Sequence, residues 1–435
     1  MSTADEGRHA GIGRALRHRN FRLFFSGQSV SLIGTWITRI ATSWLVYRLT
    51  HSAMLLGLVG FCGQIPTLVL APVAGVLVDR WDRHKILVWT QAFSALQSLA
   101  LALLALTNRI TVGWVLALQV VQGLINAFDT PARQAFVIHM VDDREDLPNA
   151  IALNSTMVNG SRIIGPSIGG LIIAAVGEGW CFMIDAVSYI AVIASLLAMR
   201  LPPLPRRPRG GAMLDELRTG FEYVTRFAPV RTALTLLALV SLMGMPYTVL
   251  MPVIATQTLH GGAHTLGFLM TASGLGAVGG ALYLASRRSV VGLGRIMVIA
   301  TLAFGAGLVA FSQARILWVA LLVLPVVGAG MMIEMAATNT ILQTVVSEEL
   351  RGRVMAFYTM AFLGTAPIGS LLAGIIANRV GASPTIVLGG VACIAGGIWL
   401  ALRLRGLREL VRPIYVERGI ISAVQADAGT ASGVP

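Results

Sequence analysis

A short charged segment, residues 79–85, lies between two long apolar runs of the sequence. Two acids and three cations fall within it: Asp79, Arg80, Asp82, Arg83 and Lys85. Cations alone are enough to orient a loop at a membrane surface, whereas acids contribute little to orientation. The two aspartates therefore indicate that this tight polar turn makes charge contacts of its own. Gly75, just before the segment, predicts a close contact between helices.

Five further charged residues fall inside apolar runs of membrane-spanning length. They are Arg39, Asp129, Arg162, Asp185 and Glu334. A charge at the centre of a membrane helix costs roughly 2.5–3.5 kcal/mol on insertion scales, so we expect each to have a partner or to line a water-filled cavity. The rise along a helix places Arg39 and Asp185 about 8–13 Å from the outer ends of their runs. We predict that these two residues pair.

The other three buried charges have alternative readings. Asp129, about 10 Å from the inner end of its run, either contacts Arg80 or Arg83 or carries a proton, and we favour the contact. Arg162 lies mid-run, where it meets a substrate anion, a distant acid or a backbone carbonyl. Glu334 is either a protonatable acid that lines a cavity or a surface acid that reaches towards solvent.

The composition shows what kind of scaffold must position these residues. Hydrophobic residues make up 55% of the 435 residues and charged residues 12%, whereas an average globular chain has about 25% charged residues. Apolar runs of about 20 residues, the length that crosses a bilayer, recur throughout. We predict an all-α polytopic membrane protein with twelve spans, at residues 22–48, 53–78, 86–107, 112–136, 149–176, 180–199, 231–257, 265–285, 296–313, 316–340, 353–378 and 385–402.

The placement of arginine and lysine predicts the orientation. With both termini in the cytoplasm, 27 of the 33 cations fall in inside segments, four fall in outside turns and two lie within spans. This asymmetry follows the positive-inside rule. It also accounts for the net charge of +13 without a nucleic-acid partner.

The predicted spans divide into two groups of six. We expect a cytoplasmic N-terminal segment (1–21), a first bundle (22–199), a cytoplasmic linker (200–230), a second bundle (231–402) and a partly disordered cytoplasmic tail (403–435). Within the linker, residues 213–227 alternate apolar and charged side chains at helical spacing, which predicts an amphipathic helix on the membrane surface. Pro166 and Pro367 lie 201 residues apart in similar settings, which indicates two related units.

Two glycine patterns fall inside predicted spans. Gly165, Pro166, Gly169 and Gly170 form one of them. Glycines four residues apart share a helix face and allow close packing, and the proline bends the helix. The second pattern, which contains Gly274, Gly276 and Gly279, matches a dinucleotide-binding fingerprint by letters. It has no preceding strand, so we interpret it as helix packing.

The charged segment, from Gly75 to Arg83, resembles the signature loop of the major facilitator superfamily, with Asp82 where glycine is usual. The resemblance implies that Asp79, Arg80 and Arg83 lock the cytoplasmic side when such a protein opens outward. It also implies that an acid near the inner end of span four, here Asp129, joins this network. The pattern from Gly165 to Gly170 resembles the core of the superfamily's antiporter motif, which favours export.

Three further segments resemble an exporter branch that contains enterobactin exporters and macrolide or multidrug efflux proteins. They are residues 19–36, 129–136 and 349–353. The resemblance implies a monomeric secondary transporter in a bacterial inner membrane that exports a drug-like or siderophore-like small molecule by proton antiport and alternating access. Its partners would be that molecule, protons and the lipid bilayer, with the proton gradient in place of any cofactor.

Other classes of function receive less support from the residues. No nucleophile–base set and no phosphate-binding loop is present, and His260 and His264 lie in a glycine-containing turn that does not favour a metal site. We therefore do not expect an enzyme or a metal protein. Two alternatives stay open: a proton-coupled importer of the same fold, and a membrane sensor or assembly factor that transports nothing.

Overall fold

The computed structural model describes residues 14–136, 140–141, 143–200, 213–287 and 289–421. The predicted segments 1–21, 200–230 and 403–435 lie partly outside these residues. Short 3-10 turns at Arg14–Arg17 and Arg144–Asp146 precede the first and fifth helices. The α-helices, in chain order, are α1 (Arg19–Thr50), α2 (Ala53–Arg80), α3 (Arg83–Leu106), α4 (Val112–Phe136), α5 (Leu147–Val176), α6 (Glu178–Leu197), α7 (Met213–Arg226), α8 (Ala228–Leu239), α9 (Tyr247–Val253), α10 (Ala263–Ser286), α11 (Leu293–Gln313), α12 (Leu317–Val345), α13 (Glu348–Thr359), α14 (Thr365–Val380) and α15 (Ala382–Glu417).

Ten helical stretches among the described residues are long and apolar enough to cross a membrane. Two of them join several helices: Ala228–Thr258 contains α8 and α9, and Glu348–Val380 contains α13 and α14. The helices α1 and α5 have 32 and 30 residues but are not among the ten. The all-helical, multi-span class is therefore confirmed, and the count of twelve spans stays a prediction.

The two joined stretches contain π-helical turns that we did not predict. These turns are Val240–Gly244, Ile254–Thr258 and Met360–Gly364. A π turn disturbs the regular backbone hydrogen bonds of a helix. The hydroxyl of Ser241 donates to the carbonyl oxygen of Phe362 at 2.6 Å, so a side chain of one π turn satisfies the backbone of another.

The chain separates into two compact units. The first comprises Met1–Leu45 and Pro66–Pro208, and the second comprises Val46–Ile65 and Arg209–Pro435. In the first unit α3 packs along α6 and α4. A buried apolar cluster that includes Phe21, Phe136 and Leu196 lies in the same unit. In the second unit α10 packs along α12, and α11 packs along α12 and α15.

Glycine allows the helix pairs of the second unit to approach closely. A Cβ atom at Gly276 of α10 would collide with the backbone of Pro325 of α12, and one at Gly328 of α12 would collide with the backbone of Ser273. The pattern around Gly276 therefore serves helix packing, as predicted. The contact expected at Gly75 is not present among the described residues, because no atom would lie within 4 Å of a Cβ there.

A similar tight turn is present in each of the two units. Gly177, between α5 and α6, has a φ of +88°, and Gly381, between α14 and α15, has a φ of +92°. An L side chain is strained at such an angle, so glycine is needed at both turns. Each turn follows the helix that contains Pro166 or Pro367.

The helix α7 forms where the alternating pattern predicted an amphipathic helix. Gly220 lies against Arg353 and Phe357 of α13, and the ring centroids of Phe221 and Phe357 are 6.3 Å apart. The helix therefore packs on the start of the stretch that contains α13 and α14. Its location at a membrane surface stays a prediction.

Candidate functional site

The charged turn between α2 and α3 is short because one of its acids caps the following helix. Asp82 Oδ1 accepts hydrogen bonds from the backbone N–H groups of His84 and Lys85, at 3.0 and 3.4 Å. An aspartate in this position satisfies donors that the first turn of a helix leaves unpaired. We did not predict this cap, although an aspartate just before a helical run is its usual signal.

The remaining residues of the charged turn differ in their surroundings. Arg80 ends α2 and is exposed, and it forms no ion pair with the described residues. Arg83 is the first residue of α3 and is half-buried. Asp79 lies in α2, but its side chain is outside the described part of the structure, so its predicted role stays a prediction.

Asp129 is the centre of a buried polar cluster in the first unit. Its Oδ1 accepts hydrogen bonds from Thr90 Oγ1 at 2.9 Å and from Gln91 Nε2 at 2.7 Å, both on α3. Its Oδ2 lies 3.3 Å from a guanidinium nitrogen of Arg133, one turn further along α4. We predicted a contact of Asp129 with Arg80 or Arg83. The contact with Arg80 is not formed, and the contact with Arg83 stays a prediction. Distance along the helix axis indicated the correct level, but Arg133 on the same helix is nearer.

Asp185 is buried on α6, 1% exposed, and its Oδ2 accepts a hydrogen bond from Ser98 of α3 at 2.8 Å. A Cβ atom at Gly34 of α1 would lie 2.7 Å from Asp185 Oδ1, so the acid packs directly against the α1 backbone. The face of α1 that contains Gly34 therefore meets α6.

The predicted ion pair between Arg39 and Asp185 is wrong. Arg39 has an exposed side chain, and its guanidinium carbon lies 4.6 Å from the ring centroid of Trp36. Successive residues are about 100° apart around an α-helix, and Arg39 follows Gly34 by five residues. Arg39 is therefore roughly 140° around α1 from the face that meets Asp185. The two residues do not meet, although they are at similar predicted depths.

Arg162 reaches the same aromatic ring from α5. Its guanidinium carbon lies 5.8 Å from the ring centroid of Trp36. Trp36 lies against Gly165, where a Cβ atom would collide with it. A Cβ atom at Gly169, one turn on, would lie 2.6 Å from Ile40 of α1. The glycines of this pattern thus let α1 and α5 pack closely, with Pro166 and Gly170 buried beside them.

Glu334 is fully buried in the second unit. Its Oε1 accepts a hydrogen bond from Thr338, one turn along α12, at 3.1 Å. Its Oε2 has no hydrogen-bond partner among the described residues. The alternative of a surface acid that reaches towards solvent is therefore wrong, because the residue is 0% exposed.

A further ionic cluster outside the apolar helices was missed. Asp146, just before α5, contacts a guanidinium nitrogen of Arg14 at 2.6 Å and the His18 Nε2 atom at 3.0 Å. The hydrogen bond from His18, together with the charge of Arg14, lowers the pKa of the Asp146 carboxyl. The backbone N–H of Ala15 also donates to Asn149 Oδ1 at 2.9 Å. These contacts attach the start of the described chain to the start of α5.

Solved membrane transporters share this fold over most of the chain. One is a bacterial homologue of the human lysosomal transporter Spinster in an inward-facing, unoccupied conformation, with a TM-score of 0.64, 14% identity and coverage of 93% of this chain and 98% of the other. Another is a POT family transporter in complex with 5-aminolevulinic acid, with a TM-score of 0.72, 9% identity and coverage of 89% and 96%. Identity this low shows the fold alone.

The fold is that of polytopic membrane transporters of the major facilitator type. The family model described as transmembrane secretion effector matches residues 13–414. The chain belongs to this family, which is one of membrane transporters rather than enzymes, as predicted.

The curated relatives have names that refer to transport. They include the staphyloferrin A transporter of Staphylococcus aureus, 26% identical over 86% of this chain and 93% of the relative. The enterobactin exporter EntS of Citrobacter koseri is 25% identical, over 92% and 96%. The multidrug efflux pump Tap of Mycolicibacterium fortuitum is 27% identical, over 87% and 93%. The predicted resemblance to siderophore and multidrug exporters is thereby confirmed.

Proposed function

We propose that this protein exports a drug-like or siderophore-like small molecule across a bacterial inner membrane by proton antiport. Two six-helix bundles alternate access to the molecule, with both termini in the cytoplasm and twelve helices crossing the bilayer. It acts as a monomer, and the proton gradient supplies the energy without a cofactor. Family membership and the exporter names of the relatives support the direction of transport.

The observation that carries the antiport proposal is the environment of Glu334. A carboxylate buried away from water is stable only when it is paired with a cation or neutralised by a proton. Glu334 is 0% exposed, contacts one hydroxyl and forms no ion pair with the described residues. Binding and release of a proton therefore change its charge without breaking a salt bridge, which is what a coupling site requires.

Asp185 is the second candidate for the coupling acid. It is also buried and forms no ion pair with the described residues, and Ser98 is its hydrogen-bond donor. Asp129 is a weaker candidate because Arg133 and two neutral donors already compensate its charge. We assign Asp129 to the cytoplasmic gate, together with Asp79, Arg80 and Arg83 of the charged turn.

Purified protein in vesicles with an imposed pH gradient tests the proposal. Ethidium and citrate, assayed separately, serve as a cationic and an anionic probe. We expect the gradient to drive at least one of them in the wild type, and Glu334→Gln to abolish that dependence. Glu409→Gln, an exposed acid on α15, is the matched control and should behave as wild type.

The result also separates the coupling candidates. Loss of gradient-driven movement in Asp185→Asn, with normal movement in Glu334→Gln, would move the coupling site to the first unit. Movement of neither probe under any gradient would contradict the export proposal. For the gate, we expect Asp79→Asn to insert normally and to lose transport.

A further inference from the structure

Two cations share one aromatic ring in the first unit. The guanidinium carbons of Arg39 and Arg162 lie 4.6 and 5.8 Å from the ring centroid of Trp36. The two carbons are therefore no more than about 10.4 Å apart. One arginine comes from α1 and the other from α5, and the tryptophan is on α1. Arg39 and Arg162 are called the arginine pair below.

Neither arginine is neutralised by an acid among the described residues. No described residue forms an ion pair or a hydrogen bond with the guanidinium group of Arg39 or of Arg162. The buried acids of the same unit have other contacts: Asp185 accepts from Ser98, and Asp129 pairs with Arg133. A guanidinium group has five N–H donors. The arginine pair therefore presents ten donors and two positive charges that the described residues leave uncompensated.

The close packing of α1 and α5 fixes the position of Trp36, which both guanidinium groups approach. Trp36 lies directly against Gly165, one turn of α5 beyond Arg162. Gly169 continues the contact against Ile37 and Ile40. Side chains that packing holds in place lose less conformational freedom when a ligand binds, which favours affinity. The glycine pattern thus has a consequence for binding as well as for packing.

The depth of the pair argues against a lipid headgroup as its partner. Arg162 is 15 residues after the start of α5 and 14 before its end. At 1.5 Å per residue it lies about 21 Å from either end of the helix. A bilayer has an apolar core of about 30 Å, with the headgroups outside it. A counter-anion for the two arginines is therefore expected to come from a solute within the transporter.

We propose that Trp36, Arg39 and Arg162 form a binding site for a solute that carries carboxylate groups. Arginine binds a carboxylate through two parallel N–H···O bonds. Two guanidinium groups near one ring suit a solute with more than one carboxylate. The assignment of this solute as the cargo rests on the proposed function; the existence of the anion site does not.

Binding to purified protein in detergent tests the site without any gradient. Citrate is the anionic probe and triethyl citrate is its neutral counterpart, with calorimetry and tryptophan fluorescence as readouts. We expect citrate to bind, Arg39→Gln and Arg162→Gln each to weaken binding at least tenfold, and the double variant to abolish it. Arg109→Gln, an exposed arginine in the turn after α3, is the matched control. Trp36→Phe should remove most of the fluorescence change.

Three results would overturn the proposal. They are absence of citrate binding, unchanged citrate affinity in the double arginine variant, and equal affinity for citrate and triethyl citrate. Inorganic phosphate provides a further test, because tighter binding of phosphate than of citrate would refute the assignment to carboxylates. Thermal unfolding of each variant shows whether the protein remains folded.

The vesicle assay keeps this inference distinct from the proposed function. Arginine-dependent citrate binding in detergent, with no solute movement in vesicles, would leave the site standing and contradict the export proposal. Gradient-driven movement of ethidium, with no citrate binding, would support the export proposal and refute the anion site. Arginine-dependent binding together with gradient-driven citrate movement would support both.

Discussion

Each unit has a buried acid on a long helix, and the surroundings of the two acids differ. In the first unit, Asp129 of α4 has a cation one turn away and two neutral donors from α3. In the second unit, Glu334 of α12 has a hydroxyl one turn away, at Thr338, and one carboxylate oxygen without a hydrogen-bond partner among the described residues. A cation and two hydrogen-bond donors compensate the charge of Asp129, whereas no cation among the described residues compensates a charge on Glu334. This difference supports the gating role that we propose for Asp129 and the coupling role that we propose for Glu334.

Removing each acid and measuring the stability of the variant tests whether the two acids differ in this way. Hydrogen bonds to a charged group contribute about 1.5–3 kcal/mol each, so Asp129→Ala should lower the free energy of unfolding by about 3 kcal/mol. Glu334→Gln should leave the free energy of unfolding unchanged or raise it, because glutamine cannot take the buried charged form that has no cation beside it. Unfolding in detergent measures both variants, and equal losses in the two would contradict the comparison.

The close helix packing of each unit can be tested by comparing two glycines of one helix. One of them contacts a neighbouring helix and the other does not. Gly165→Ala in α5 and Gly276→Ala in α10 place a methyl group against backbone or side-chain atoms of a neighbouring helix. Overpacking of this kind costs about 1–3 kcal/mol. Gly160→Ala and Gly279→Ala are the controls, since no atom would lie within 4 Å of the new Cβ. If a control variant had a lower melting temperature than its partner, close packing would not be the reason for the glycine.

The charged turn of the first unit can be compared with its counterpart in the second. Asp82 caps α3, whereas α11 begins after Gly292 without a side-chain cap. Asp82→Ala should cost about 1 kcal/mol through loss of the cap. Asp82→Asn keeps the cap and removes the charge, so its stability and transport should both be close to wild type. Loss of transport in Asp82→Asn, with stability intact, would instead place Asp82 in the gate.

The smallest effect is expected at the cluster around Asp146. The hydrogen bond from His18, together with Arg14, lowers the pKa of this carboxyl below its ordinary value of 3.8. A lowered pKa stabilises the folded state above the ordinary pKa, and the gain is lost as pH falls through the lowered value. Asp146→Asn should therefore reduce the melting temperature at pH 7, with a difference that narrows below about pH 4. A difference that stays constant down to about pH 3 would contradict this account.

The sequence predicted the helices well because apolar length is a strong signal. The predicted spans 86–107 and 265–285 correspond to α3 at Arg83–Leu106 and α10 at Ala263–Ser286. The π turns were missed because an apolar run has the same composition whether its backbone bonds follow the α or the π pattern. The cap at Asp82 was not predicted, because the charged residues beside it indicate ion pairs equally well.

The sequence shows which charged residues fall within apolar runs, but it did not predict all of their partners. Depth along a helix can be read from residue number, and it placed Arg39 and Asp185 at similar levels. Rotation around the helix depends on which face packs against a neighbour, and that is decided by tertiary contacts such as Gly34 on Asp185. The shared ring of Trp36 brings together residues more than a hundred positions apart, and no local pattern predicts it.

Infrared difference spectroscopy of the purified protein tests the central contrast most directly, because a protonated carboxyl has its own carbonyl band. We expect the wild type to show a protonated carboxyl band that titrates with pH. Glu334→Gln should reduce that band, whereas Asp129→Asn should leave it unchanged. An undiminished band in Glu334→Gln, or a loss of band intensity in Asp129→Asn, would contradict the assignment of proton coupling to the second unit.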